Sequence, residues 1–177
     1  GCDISADMLA HCRAQADEEG LTVQLFEQAF HELDLPVAYR TIYICDSFGL
    51  GGHRTHDVEA LRRCHRHLAP GGTLVFSHDL PYEDVNGWPF WVPAERKRLP
   101  QPWREAGRRS PARNGDELEL NSRLVDLDPM DQRITAQIRV TLWRDAVAVA
   151  EEEHRLQANL YFRNEVVLML EAAGFDE

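Results

Sequence analysis

"ALRRCHRHLAPGGTLVFSHD" (residues 60–79) is the stretch whose reading decides the fold. Val58, Leu61, Cys64 and Leu68 recur at the spacing of one helix face, and Asp57 stands where a cap is needed. "APGG" stops this helix, and "TLVFSHD" follows as a buried strand. Upstream, "YRTIYICD" (39–46) is a second apolar, β-rich run, after which "SFGLGG" supplies the glycines of a loop. Further back, Ser5 caps a helix over 5–19 that has Met8, Leu9 and Cys12 on one face and ends at Gly20; "TVQLFE" (22–27) is then a short strand. Gly1 to Ile4 read as the last residues of a buried strand, so the pattern predicts residues upstream of Gly1. Strands alternating with helices at this spacing predict a parallel sheet with helices on its faces, an α/β, Rossmann-like architecture.

Downstream the pattern changes. Six of the nine prolines fall between Pro81 and Pro111, together with Trp88, Trp91 and Trp103, so residues 81–114 read as a connector without long regular elements. Beyond it the period becomes two: Ile134, Ala136, Ile138, Val140 and Leu142 alternate with Thr135, Gln137, Arg139 and Thr141, which predicts a strand with the first face buried and the second wet. "ELELNSRLVDL" precedes this strand across "DPMD", where Asp128 and Pro129 suit a type I turn, and "VAVAEEEHRLQANL" follows it. The expectation is a three-stranded antiparallel meander over 115–160. In "RNEVVLMLEAAGF" Asn164 caps a final helix with Val166, Met169, Leu170 and Ala173 inward, and Gly174 ends it. A helix of this kind normally feeds another strand.

Composition narrows the function classes. Nineteen Lys and Arg against thirty Asp and Glu give a net charge of −11, which repels a phosphate backbone and argues against nucleic acid as a partner. A local exception, the basic run Arg96, Lys97, Arg98, Arg104, Arg108, Arg109 and Arg113, reads as a solvated loop. No apolar run reaches membrane-spanning length and no signal-peptide pattern opens the chain, so no membrane partner and a cytoplasmic setting are expected. Cys2, Cys12, Cys45 and Cys64 form no CxxC pair and read as reduced, buried thiols. The eight histidines, in "HRTHD", "CHRH" and "SHD" among other places, show no zinc spacing, so no metal is expected.

In order, these pieces resemble the class I S-adenosylmethionine-dependent methyltransferases. "GCDISADML" resembles the end of the second strand and its helix, and "YRTIYICDSFG" the fourth strand and its loop. "ALRRCHRHLAPGGTLVF" resembles the helix, turn and fifth strand, and "NLYFRNEVVLMLEAAGF" the helix before the sixth. The resemblance covers most of 1–80 and 160–177, and it implies a Rossmann-like methyltransferase core, here partial, over 1–80 and 161–177. The antiparallel insertion resembles the lid of small-molecule N- and O-methyltransferases. It also implies a preceding first strand with a glycine-rich loop, which this chain does not contain; "FGLGG" comes after the fourth strand and does not replace it. A sheet without that strand leaves a slot, which upstream residues, a second copy in a homodimer, or the 81–114 segment would fill.

The site residues follow from this resemblance and from the rule that ligands of open parallel sheets lie beyond the strand carboxyl ends. S-adenosylmethionine is the implied cofactor. Asp3 would accept from the ribose hydroxyls, with Ile4 and Met8 beside it. Where many family members have an aspartate for the adenine amino group this chain has Phe30, so the backbone of Gln28 and Ala29 would serve, with Phe30 as an apolar wall or as core. Cys45, Asp46 and Ser47 would flank the methionine end. Methyl transfer is an in-line displacement, so few residue types are obligatory. His78 is a candidate general base with Asp79 beside it. Phe48, Tyr82, Trp88 and Trp91 would wall a pocket for a small-molecule acceptor. Two other readings compete: a non-catalytic fragment or binding module lacking the donor site, and a nicotinamide dehydrogenase, which equally needs a glycine fingerprint before Asp3 and leaves the antiparallel sheet unexplained.

Overall fold

The computed structural model describes residues 1–112 and 114–176; Arg113 of the basic run lies outside the described residues. The chain divides into two units, Gly1–His78 with Arg163–Glu177, and Asp79–Phe162. In the first unit β1 (Cys2–Asp3) pairs in parallel with β2 (Phe26–Glu27), and β3 (Tyr39–Ile44) in parallel with β4 (Leu68–Phe76). The fold is therefore α/β with parallel pairing, but the strands form two separate pairs rather than one sheet. Helices α1 (Ala6–Glu18), α2 (Arg54–Arg66) and α4 (Arg163–Ala173) complete the unit, and α2 packs against α4. Leu33, Ile44 and Cys64 are the buried centre, with Ile42, Leu74, Phe76 and Phe175 packed on it.

Local rules explain most boundaries. The Ser5 hydroxyl accepts from the Met8 amide at 3.3 Å, capping α1, and Gly20 and Gly174 follow their helices at φ 69° and 100°, where a side chain would be strained. Several expectations need correcting. The strand over 22–27 reduces to Phe26–Glu27, and Met8 and Cys12 on α1 are exposed rather than inward, as is Cys45. Helix α2 starts after His53, so Asp57 lies within its first turns and is buried instead of capping it. Likewise α4 begins at Arg163, placing Asn164 inside the helix. The "APGG" segment does not stop α2, which has already ended at His67; it forms an irregularity in β4, where pairing jumps from Tyr39↔Leu68 to Thr41↔Thr73. Gly71 there has φ 69°.

The second unit is an antiparallel sheet in the order β5 (Arg108–Pro111), β6 (Glu117–Asp128), β7 (Arg133–Arg144), β8 (Val147–Asn159). It has four strands, not three, because part of the proline-rich connector pairs with β6. The connector also holds a 3₁₀ turn at Trp88–Trp91 and the short α3 (Pro93–Arg96). Asp128 Oδ1 accepts from the Met130 and Asp131 amides at 2.9 and 3.0 Å, shaping the β6–β7 turn, while Asp145 and Ala146 both adopt positive φ in the two-residue β7–β8 turn.

The faces of β7 are not those its alternation predicts. Thr135 and Thr141 are buried, while Ile134, Ala136, Ile138, Val140 and Leu142 are only half-buried. The polar face is covered from the connector: Trp103 lies against the guanidinium groups of Arg123 and Arg139, 4.6 and 4.3 Å from the ring centre, and Gln101 bonds the Leu124 main chain. Of the described basic run, Lys97, Arg98, Arg104, Arg108 and Arg109 are exposed, as expected of a solvated loop, and Arg96 is half-buried. Arg96 donates to the Phe90 and Trp91 carbonyls, and Arg109 lies over Trp143 and pairs with Glu119.

At the far end of the sheet Arg144 grips buried Asp116 with two bonds, Nε to Oδ1 at 3.0 Å and Nη2 to Oδ2 at 2.8 Å. This guanidinium holds the Asp116 carboxyl below its ordinary value of 3.8. A lowered carboxylate contributes stability that is present above the ordinary value and lost as pH falls through the lowered one. Urea unfolding of the protein and of Asp116→Asn should therefore differ at neutral pH and draw together in acid, below the ordinary carboxyl value. Curves separated equally at both pH values would contradict this.

Candidate functional site

A cavity of about 710 Å³ opens in the first unit between the two parallel pairs, and residues of both β1 and β3 line it. It gathers most of the positions expected at the cofactor: Asp3, Ile4, Gln28, Ala29, Phe30, Cys45 and Ser47. Met8 and Asp46 are not on its wall. The reason for Met8 is that α1 turns it outward, 58% exposed. The reason for Asp46 is a bond network toward β4: its amide donates to Ser77 Oγ at 2.7 Å, and the Ser77 hydroxyl donates to Asp46 Oδ1 at 2.6 Å.

Asp3 ends β1, and its Oδ1 accepts from the Ser5 amide at 2.8 Å while its main-chain carbonyl accepts from Gln28. This ties the carboxylate to the cavity mouth and to the start of α1 at once. Gln28 is engaged on all sides: its side chain exchanges two bonds with Asp34, and its carbonyl accepts from Cys2 Sγ at 3.1 Å. Phe30 both lines the cavity and packs on the core cluster.

Cys64 sits at the bottom of the cavity, where burial pushes its thiol up to about 11; burial also raises Cys2. Both are held as neutral thiols at neutral pH, which suits packing rather than nucleophilic chemistry. On the exposed side, the Tyr43 hydroxyl is raised above its ordinary value by its hydrogen bond with Cys45.

Among the lining residues that the sequence reading did not name for the site are His31, His56 and Asp57. His31 and His56 stack face to face with ring centres 3.8 Å apart, His56 Nδ1 is bonded to the Gly51 carbonyl at 2.8 Å, and Asp57 is 4% exposed. The available signal was Gly51-Gly52 before "HRTHD", which brings the start of α2 against the strand ends. Among the described residues, no group of three or more His, Cys, Asp or Glu side chains is placed to hold a metal ion, and no helix is long and apolar enough to cross a membrane.

Of the residues expected near the acceptor, Phe48 is buried against Phe76 and stands edge-on to His78 at 5.7 Å. Asp79 opens the second unit. There Tyr82 is exposed, and Trp88 and Trp91 form an aromatic cluster with Phe162, 6.5 and 5.4 Å from its ring.

Residues 1–72 match the family profile described as "Methyltransferase domain". The chain has the class I methyltransferase fold. It superposes on a S-adenosylmethionine-dependent methyltransferase from Clostridium acetobutylicum with a TM-score of 0.73 at 15% identity, over 97% of this chain and 61% of that one. The sugar N-methyltransferase KedS8 from Streptoalloteichus gives 0.67 at 19% identity, over 98% and 61%. The glycopeptide N-methyltransferase MtfA, in complex with S-adenosylmethionine, gives 0.51 at 17% identity, over 99% and 61%. The chain thus spans about three-fifths of the length of these structures. No curated protein matches the sequence at a significant level. In this methyltransferase fold the cavity lies at the carboxyl ends of β1, β2 and β3, where ligands of parallel α/β sheets bind.

Proposed function

We propose that the chain carries the donor-binding part of an enzyme that transfers a methyl group from S-adenosylmethionine to a small molecule. The observation that carries this reading is the cavity itself. Its size falls within the range of about 300–1,000 Å³ usual for small-ligand sites, and it combines an acidic residue at one strand end with apolar and backbone surface at the next two. The residues present fit the cofactor. Asp3 keeps an oxygen beyond the one given to Ser5 and would accept from the ribose hydroxyls. Phe30 with Ala29 would cover the adenine face, and Cys45 and Ser47 would border the methionine end. When bound, S-adenosylmethionine supplies an electrophilic methyl group on a cationic sulfur.

The chain's own task is then alignment and exclusion of water. The acceptor class is supported by the neighbours, one a sugar and one a glycopeptide N-methyltransferase. His78, held edge-on to Phe48, would take a proton from the acceptor, with Asp79 next to it. Within the second unit, Tyr82, Trp88 and Trp91 would offer the acceptor an aromatic surface. The four free cysteines support a reducing, cytoplasmic setting.

Isothermal titration with S-adenosylmethionine tests the reading. Saturable binding that weakens about tenfold in Asp3→Ala, the loss expected when a hydrogen bond to a charged acceptor goes, upholds it. Absence of binding at millimolar ligand favours a binding module without a donor site, and unchanged affinity in Asp3→Ala would return Asp3 to capping α1.

A further inference from the structure

The loop after β3 is held by a side chain from β4. The β3–β4 ladder continues past its last strand residues through the Ser77 amide, which donates to the Ile44 carbonyl at 3.1 Å. Two residues further along the first strand, Asp46 turns into the left-handed region at φ 50°, a conformation that costs residues with a Cβ and that aspartate adopts when hydrogen bonds hold it. The Ser77 hydroxyl imposes it from both ends, accepting from the Asp46 amide at 2.7 Å and donating to its carboxylate at 2.6 Å. One hydroxyl has one proton and free lone pairs, so the two bonds are compatible and saturate its donor capacity. Cys45 and Ser47, on either side of the turn, are on the cavity wall, and Cys45 Sγ adds a weak 3.6 Å bond to the other Asp46 oxygen.

We infer that Ser77 is a positioning residue for the donor site: its hydroxyl clasps the amide and the carboxylate of Asp46 together, and so fixes the turn that delivers Cys45 and Ser47 to the cavity. This rests on the donor reading of the cavity given above. Ser77 itself is not on the cavity wall, so it acts through the loop and not by touching ligand.

The clasp makes a specific pattern among variants. Ser77→Ala removes both bonds, Ser77→Thr keeps the hydroxyl, and Asp46→Gly makes the left-handed turn free of strain, so that the clasp is no longer needed to hold it. Two measurements on the full chain read this out. Hydrogen exchange of the Asp46 amide without ligand should accelerate about tenfold or more in Ser77→Ala and stay close to the parent in Ser77→Thr. Affinity for S-adenosylmethionine should fall about tenfold in Ser77→Ala and less than about threefold in Ser77→Thr; added to Asp46→Gly, Ser77→Ala should cost less than about twofold, the non-additivity of residues acting as one unit.

A residue that merely stabilises the fold would lower the melting temperature and weaken binding equally in both backgrounds, and that outcome overturns the inference. So does unchanged amide exchange in Ser77→Ala. Should the parent chain take up no S-adenosylmethionine at millimolar concentration, the donor reading falls by itself. Faster exchange confined to Ser77→Ala would then still uphold the clasp, and equal exchange would still overturn it.

Discussion

Leu61→Ala is expected to lower the free energy of unfolding by about 2–5 kcal/mol, the range for truncating a buried leucine in a site that collapses only partly. Leu61 is fully buried, at 0% exposure, in the middle of α2, and that helix packs on both α4 and the 3₁₀ turn at Phe30–Glu32. Few neighbours can move into the space without pulling these elements off their strands. Because α2 also carries His56, Asp57, Ala60 and Cys64 of the cavity wall, ligand affinity should fall along with stability. Urea denaturation with linear extrapolation measures the first effect, and a loss below about 1 kcal/mol would mean that the core is softer than its burial implies.

Gly72→Ala should be the second severe change, at about 1–3 kcal/mol, the usual range for forcing atoms into occupied space. A Cβ at Gly72 would stand 2.9 Å from the Ala69 carbonyl and 3.1 Å from those of Arg40 and Tyr39, all of them backbone. None can rotate away as a side chain would. Its neighbour Gly71 has open space around it and only a positive φ to satisfy, so Gly71→Ala should be milder, near 1 kcal/mol from backbone strain alone. If the two alanine variants unfold at the same urea concentration, crowding at the β3–β4 irregularity is not what Gly72 relieves.

These two glycines also mark how far the sequence could be read. The helix, the Pro-Gly-Gly and the strand after it were visible as a pattern, because apolar spacing and glycine signal elements directly. That the glycines sit inside β4, opposite a jump in register, depends on a partner strand some thirty residues away and has no local signal. The cavity wall was legible for the same reason as the strands: Asp3, Gln28 to Phe30, Cys45 and Ser47 are strand ends, and a parallel fold brings such ends together. The turn at Asp46 had no local signal, because its positive φ is held by a bond to Ser77 on another strand. His56 and Asp57 were missed since "HRTHD" looks like a wet helix face until Gly51 and Gly52 turn it inward. On β7 the alternation did not predict burial, because Thr135 and Thr141 are buried while Trp103 lies against Arg123 and Arg139 on the polar side.

Strand β8 closes the sheet order as an edge, exposed along most of its length, and carries Glu151, Glu152 and Glu153 in succession. An open edge is a template for any chain with the same hydrogen-bonding rhythm, a second copy of β8 above all. Here an approaching copy would bring the two glutamate runs together, and although Arg139 pairs with Glu151 and Glu153 within each sheet, each run keeps a net negative charge that opposes pairing. The protection is ionic and therefore conditional: it weakens as salt shortens the screening length to about 3 Å at 1 M, and it vanishes once acid neutralises the glutamates. Concentrated stocks of this protein should keep best in dilute, near-neutral buffer, and turbidity should appear first on acidification.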